Sequence, residues 1–384
     1  MAKAQVNLRR NSALIVSAYA EPHLGGVEVV AGQQARTLTA LGRDVTVVTS
    51  RCDAQVAKFE QVDGFKIVRV PAWNGLEDLK GVPLPIWSPS AFLKLARLVR
   101  KADVVHVHDV YHASSIVAAS LARLLRRPLF LTQHVAIVDH DTAVVRLFQN
   151  VTYSSVARLL WRWATTITVY NPIVEGFIVG KGVPRGKIRF RYNGIDTEKF
   201  RPGEPAATAA TRSRYGLPAA VPLVLFVGRL VPKKGADKLA LAHGPEYHIV
   251  LAGPGKIPDD CPPGVTFLGP IGRDELLSLY QASDIFALPA VGEMLTLAMQ
   301  EAMSCGLPVV TTDDDGYARY ELDPAGVALV SPEPAALRSA FLDILRDQPR
   351  RQYMQAYSRE LAQTRFDWHK NAAELDSEHA LART

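Results

Sequence analysis

Two carboxylates eight positions apart carry the strongest chemical signal in the chain, in the segment Glu293-Met-Leu-Thr-Leu-Ala-Met-Gln-Glu301. The segment follows the apolar run Asp284–Leu288 and a proline, so Glu293 belongs on a loop leaving the carboxyl end of a strand. Thr296 can cap a helix reaching about Cys305, and Gly306 with Pro308 marks its stop. Free N–H groups at such a helix start suit a diphosphate. Glu301, inside that helix, can accept hydrogen bonds from paired ribose hydroxyls, and Glu293 can do the same for a sugar. Taken bare, two glutamates at this spacing read as a solvated face. Their placement between a strand and a capped helix is what points to a ligand.

A second group, Gly228-Arg229-Leu230-Val-Pro-Lys-Lys234-Gly235, comes directly after the apolar run Leu223–Val227. Arg229 offers a planar fork for phosphate oxygens and Lys234 a point charge from the same turn; a solvated basic loop is the plainer alternative. A third group runs from Ser17 to Glu28, where Gly25-Gly26 allows either close backbone approach to a ligand or a plain tight turn. Gly253-Pro254-Gly255 lacks the third glycine of a dinucleotide fingerprint and gives little support to a dehydrogenase. His106, His108, Asp109 and His112 admit either a metal cluster or a polar strand end.

Short Val/Ile/Leu runs alternating with amphipathic stretches position these groups, the pattern of βα units around a parallel sheet. In the first half the strands read Ala13–Ser17, Asp44–Thr49, Lys66–Arg69, Asp103–His108, Leu129–Thr132 and Thr166–Val169. The pattern restarts with Leu223–Val227, Tyr247–Ala252, Val265–Leu268, Asp284–Leu288 and Pro308–Thr311. Between the halves, the Pro/Ala/Thr-rich stretch Arg201–Leu217 reads as an interdomain linker. The expected architecture is α/β, with two Rossmann-like doubly wound domains facing a central cleft. Residues 1–202 form the first domain and 203–365 the second, with 366–384 returning to the first through the aromatics Phe366 and Trp368.

At 384 residues the chain is long enough for two cores, and 48% apolar against 21% charged excludes a disordered protein. The net charge of +6 is mild and scattered, which argues against a dedicated nucleic-acid binder and suits anionic ligands. Three cysteines, Cys52, Cys261 and Cys305, share no metal-type spacing and fit a reducing compartment. The run Ala13–Ala20 after Arg9-Arg10 resembles a short signal peptide, but its brevity favours a first buried strand. No apolar run approaches a bilayer span, so a soluble cytoplasmic protein is expected, at most peripheral on the membrane. For such peripheral contact the candidate is Arg158-Leu-Leu-Trp161-Arg162-Trp163 with Arg123 and Arg126-Arg127; a buried helix rimmed by arginine is the alternative.

Read together, these residues resemble the retaining, metal-independent nucleotide-sugar glycosyltransferases of the GT-B fold, specifically glycosyltransferase family 4. The resemblance runs through Gly25-Gly26-Val-Glu28, Asp103-Val-Val-His-Val-His108, Asn193-Gly-Ile-Asp196, Gly228-Arg229-Leu230, Leu251-Ala-Gly-Pro-Gly255, the paired glutamates and Gly306-Leu-Pro-Val-Val310. It implies that Arg229 and Lys234 neutralise the donor diphosphate, that Glu301 holds the ribose, and that Glu293 holds the transferred sugar. The backbone of Met294, Leu295, Thr296 and Leu297 would contact sugar and phosphate, with Gly25, Gly26 and Ile271 completing the donor set. His134 matches a cleft histidine that positions the sugar. His106, His108, Asp109 and His112 would line the acceptor side, and Asp139-His140-Asp141 is either an acceptor contact or a solvated loop.

The implied reaction takes a UDP-sugar first and GDP-mannose next, with a glycan, glycolipid or small-molecule acceptor, no cofactor, no metal and no nucleic acid. Cell-surface polysaccharide or natural-product biosynthesis is the implied setting. An epimerase acting on UDP-sugars and a non-catalytic nucleotide-sugar binder are the competing readings. The chain departs from the family pattern at Thr296, where glycine is common, and at Tyr170-Asn171. It departs again at Asp313-Asp314-Asp315-Gly316, whose superficial Asp-x-Asp follows the wrong element for a metal-dependent transferase; Arg319 and Glu321 stand near the acid the family usually places there.

Overall fold

A computed structural model describes residues 11–23, 25–75, 77, 84–136, 143–256, 262–293 and 295–382. The chain forms two compact units: unit 1 comprises residues 1–191 with 369–384, and unit 2 comprises 192–368.

Unit 1 is built on β1 (Ser12–Val16), β2 (Asp44–Arg51), β3 (Phe59–Val62), β4 (Phe65–Trp73), β5 (Ile86–Trp87), β6 (Val104–His108), β7 (Leu129–Gln133), β8 (Thr166–Val169) and β9 (Ile188–Phe190). Their order is β3-β4-β2-β1-β6-β7-β8-β9, with β5 paired to β4. Only β3 and β5 run antiparallel to their neighbour. Period-2 alternation sends Leu14, Val16, Val105, Val107, Leu129 and Leu131 to one face, beneath helices Pro89–Lys101, Ala113–Leu124 and Val156–Trp163. Ala13, Ile15, Val45 and Val47 meet helix Gly26–Ala40 and Leu375 of helix Trp368–Leu381 on the other. The run Ala13–Val16 is therefore a central buried strand.

The final helix is moored by Arg43 to Asp376 and by Arg191 to Glu374 (2.6 Å) and Glu378 (2.7 Å). Trp161 is 1% exposed and packs near Tyr153 and Phe177, so the tryptophan belongs to the core and the neighbouring arginines to its rim.

Unit 2 is a wholly parallel sheet of β10 (Leu223–Val227), β11 (His248–Ala252), β12 (Val265–Gly269), β13 (Ile285–Leu288), β14 (Val309–Thr312) and β15 (Val327–Val330), in the order β12-β11-β10-β13-β14-β15. The strand order turns back at β1/β6 in unit 1 and at β10/β13 in unit 2. Loops leaving the carboxyl ends of strands at such a reversal form the natural binding crevice of a doubly wound sheet.

Two sequence expectations are corrected. The stretch Arg201–Leu217 is not a free linker, because Pro205–Arg214 is a helix packed on helix Arg273–Ala282. Arg212 holds it there, donating to the carbonyls of Ala282 and Val221 and pairing with Asp284 at 2.8 Å. The unit boundary lies after Arg191 rather than after residue 202. Tyr192 packs near Tyr320 and Phe366, Ile195 bridges to Asp367, and the Phe200 carbonyl accepts from Ser304 and Arg359. Those contacts carry 192–202 and 366–368 into unit 2, and the return to unit 1 begins at His369.

Candidate active site

In unit 2 the predicted donor residues converge on the β10/β13 reversal. After β10, Gly228 N–H donates to the Ala252 carbonyl (2.9 Å) and Leu230 N–H to the Pro254 carbonyl (2.8 Å), so this loop runs beside the exit of β11. Gly253 sits at φ +142°, and a Cβ there would lie 2.0 Å from the Gly228 carbonyl oxygen. The Gly-Pro-Gly segment is thus a packing seam between two loops. Pro232–Lys234 form a 3-10 turn ending at Gly235, whose φ of +70° and contact with the Pro289 carbonyl exclude a side chain. The Lys233 carbonyl accepts from Val291 N–H at 3.1 Å, tying the β10 loop to the loop after β13.

That tie brings the two charged groups together. Lys234 Nζ lies 3.0 Å from Glu293 Oε2, and Lys233 Nζ lies 3.4 Å from Oε1. Both Lys234 and Glu293 side chains are largely buried, at 17% and 16% exposure. Burial pulls the Lys234 pKa below its ordinary value despite the opposing attraction of Glu293. Arg229 is exposed on the same loop, and its charge also pushes the Lys234 pKa down.

The loop carrying Glu293 is braced from behind by a residue that sequence reasoning treated only as part of a false metal motif. Asp314 Oδ2 accepts from Gly292 N–H and its Oδ1 from Gly316 N–H, both at 2.7 Å. Gly316 is required because a Cβ there would lie 2.2 Å from the Glu293 carbonyl oxygen. Beyond the loop, Thr296 Oγ1 accepts from Met299 N–H (3.3 Å) and caps helix Leu297–Ser304, as its residue type predicts.

Leu295 is fully buried, and its backbone is hydrogen-bonded to the Tyr320 phenol. Glu301 is buried on the same helix and accepts from the Tyr280 hydroxyl at 3.0 Å. Ile271 is half-buried on the loop after the edge strand β12. Met294 and the loop Asp139–Asp141 lie outside the described residues.

Unit 1 holds the rest. Gly25 is the extended N-cap residue of helix Gly26–Ala40, and space at Gly26 is open. Behind them a polar cluster not singled out from sequence joins His23 to Glu28 (3.0 Å) and Glu77 (3.2 Å), with Tyr19 stacked on His23. The hydrogen bond to Glu28 raises the His23 pKa.

His134 follows β7. Its N–H donates to Asp109 Oδ1 (2.8 Å), and its Nε2 lies 2.9 Å from His108 Nδ1. His106, His108 and His134 form a buried column with ring centroids 5.2 Å apart, and His106 bonds Thr132 at 2.7 Å. Burial pushes His106 and His134 down to about 3 and His112 to about 4, so these imidazoles are neutral near pH 7. Burial raises the Asp109 carboxyl to about 7. Among the described residues no group of three or more His, Cys, Asp or Glu is arranged to hold a metal ion.

Two family models match the chain: Glycosyltransferase Family 4 over residues 24–199, and Glycosyl transferases group 1 over residues 208–361. A D-inositol 3-phosphate glycosyltransferase from Xylanimonas cellulosilytica is 29% identical, over 93% of this chain and 92% of its own length. A GDP-mannose-dependent alpha-(1-6)-phosphatidylinositol monomannoside mannosyltransferase from Mycobacterium tuberculosis is 28% identical over 81% and 82%. Among solved structures, Anabaena Alr3699/HepE in complex with UDP superposes with a TM-score of 0.77 at 19% identity, over 96% of this chain and all of that one. These structural neighbours share the GT-B fold.

Proposed function

We propose that this chain, which belongs to the group 1 and family 4 glycosyltransferases, moves a sugar from a nucleotide diphosphate donor to an acceptor hydroxyl with retention of configuration and without a metal ion. The observation that carries the reading is the Lys234–Glu293 pair, supplied by the two strands that flank the sheet reversal and held at 3.0 Å. In the resting chain Glu293 neutralises Lys234. A bound diphosphate takes over Lys234 and frees the carboxylate for sugar hydroxyls.

In the proposed reaction the bond between the anomeric carbon and the donor phosphate oxygen breaks. The acceptor oxygen bonds that carbon from the same face, and the acceptor proton passes to the departing phosphate. Arg229 and Lys234 stabilise the charge that develops on the diphosphate. Glu301 holds the ribose hydroxyls, the backbone from Met294 to Leu297 contacts sugar and phosphate, and Gly26 admits the diphosphate. His134 is assigned a positioning role, its neutral imidazole offering a hydrogen bond to the sugar.

A UDP-sugar is the first donor to test, a choice supported by the UDP complex of HepE, and GDP-mannose is the second, supported by the mannosyltransferase relative. The acceptor is a hydroxyl of a glycan, glycolipid or small polyol. That no metal is needed is supported by Asp314, whose two oxygens are both committed to backbone N–H groups.

The test is product formation followed by proton NMR of the anomeric centre, with EDTA present. Retained configuration and a loss of about 10²–10³ in turnover for Arg229→Ala and Lys234→Ala are expected, as for removal of a transition-state charge partner. Inverted product, or near-normal rates in both variants, would overturn the assignment.

A further inference from the structure

One layer of helices in unit 1 differs from the rest of the chain in its charge. Helices Pro89–Lys101, Ala113–Leu124, Ala143–Ser154 and Val156–Trp163 contain no Asp or Glu, while eight of their residues are Lys or Arg. They pack side by side over one face of the sheet.

The same helices carry exposed apolar side chains. Leu93, Leu124, Leu147, Val151 and Leu159 all stand at least 44% exposed, and Leu147 and Val151 are one turn apart. Where Ala113–Leu124 and Val156–Trp163 end, Arg123, Arg126, Arg127 and Arg162 line a depression of about 550 Å³ with Leu159 and half-buried Trp163. Arg127 is partly engaged, by Asp103 at 3.9 Å and the Arg100 carbonyl at 2.9 Å. Among the described residues, Arg123, Arg126 and Arg162 form no ion pair. Several arginines elsewhere in unit 1 are paired instead: Arg36 with Glu21 and Asp63, Arg69 with Glu60, and Arg191 with Glu374 and Glu378. Uncompensated cations therefore gather where aliphatic side chains are left in water.

We infer that this helical layer docks on an anionic lipid bilayer, with the arginine depression seating a headgroup phosphate. Charge complementarity selects an anionic partner, and guanidinium forks match phosphate oxygens. The exposed leucines and valine select a partner that also offers hydrocarbon, which a polyanion in solution does not. Arginine stems and the ring of Trp163 supply the amphipathic border such an interface uses. No helix among the described residues is long and apolar enough to cross a membrane, so the contact lies at the surface. The depression is bounded by Pro128, Leu129 and Thr165, at the amino ends of β7 and β8, whereas His134 leaves the carboxyl end of β7. The two sites can thus be altered separately, and the inference does not rest on the transfer reaction.

The experiment is co-sedimentation of the full chain with vesicles of equal parts phosphatidylglycerol and phosphatidylcholine, and with phosphatidylcholine alone. Binding to the anionic vesicles only, weakened by salt, is expected. The variant Arg123→Glu/Arg126→Glu/Arg162→Glu changes exposed residues and should bind at least about a hundred-fold more weakly, on a contribution near a fivefold factor per basic residue. Its stabilisation by a nucleotide-sugar donor should match the parent chain, which separates loss of docking from loss of folding. Leu147→Ser/Val151→Ser/Leu159→Ser should abolish whatever binding survives at high salt. Absence of binding to anionic vesicles, or parental binding by the arginine variant, overturns the inference. Stabilisation by inorganic phosphate that needs these arginines, without vesicle binding, would reassign the depression to a free anion and overturn it equally.

Discussion

Asp314 offers a sharp test of how the donor loop is held, because its two carboxylate oxygens do one job each. Replacing it with asparagine keeps size and shape but leaves one of the two N–H groups, Gly292 or Gly316, facing an amide NH2 instead of an acceptor. A hydrogen bond to a charged group contributes about 1.5–3 kcal/mol, so a loss of about 2 kcal/mol is expected. For a unit the size of Tyr192–Trp368 that corresponds to a fall of roughly 4–8 °C in its melting temperature.

Gly292 precedes Glu293, and the Glu293 carbonyl rests against Gly316, so the same change loosens the sugar-binding carboxylate. With every 1.4 kcal/mol worth tenfold, about 1 kcal/mol of that loss expressed in donor binding predicts roughly a fivefold higher KM for donor. Calorimetry and donor kinetics on Asp314→Asn measure both effects. Asp313→Asn and Asp315→Asn are the controls; both residues are exposed, and changes within about 0.5 kcal/mol are expected. Unchanged stability and KM in Asp314→Asn would refute the bracing role. Equal loss of activity in all three variants, restored by a divalent ion, would point instead to a metal-binding triplet.

Further outcomes follow from the same geometry. Glu301→Ala should chiefly weaken donor affinity rather than turnover, and it removes the acceptor of the Tyr280 hydroxyl; calorimetric titration with the donor nucleotide checks this. Asp109 has a folded pKa raised to about 7 above an unfolded value near 4, so between these values the folded chain keeps a proton that the unfolded chain has lost. Stability should therefore fall as pH rises across that window. Denaturation of Asp109→Asn across the same range should show a flatter slope. His108→Leu should lower turnover by removing the partner of His134 Nε2, while His108→Asn, whose amide occupies the position of the bonding Nδ1, should restore it; equal activities in the two variants would count against His108 as a positioning residue.

The legible parts of this chain were those with local causes. The Thr296 cap, the strand before Glu293 and the Gly235 turn follow from residue type and spacing, and the structure places all of them where those rules predict. Helix Pro205–Arg214 was illegible because its sequence, Pro-Ala-Ala-Thr-Ala-Ala-Thr-Arg-Ser-Arg, has no apolar stripe. It is fastened by the Arg212 and Arg214 guanidiniums and the Thr208 hydroxyl to groups distant in sequence, and no local pattern encodes that. The role of Asp314 was missed for the same reason: it depends on Gly292, supplied by the neighbouring strand's loop. His23 and Glu77 likewise meet only in the folded unit. The expected boundary near residue 202 followed composition, whereas the aromatic packing of Tyr192 and Phe200 sets the observed one.

Thermal unfolding of the chain in EDTA against UDP-, GDP-, ADP- and dTDP-sugars tests the central claim most directly. A donor at a hundred times its dissociation constant adds about 2.7 kcal/mol. A clear shift with one nucleotide class, indifferent to EDTA and lost in Glu301→Ala, is expected. No shift with any donor, or one that appears only when a divalent ion is added, would contradict the claim.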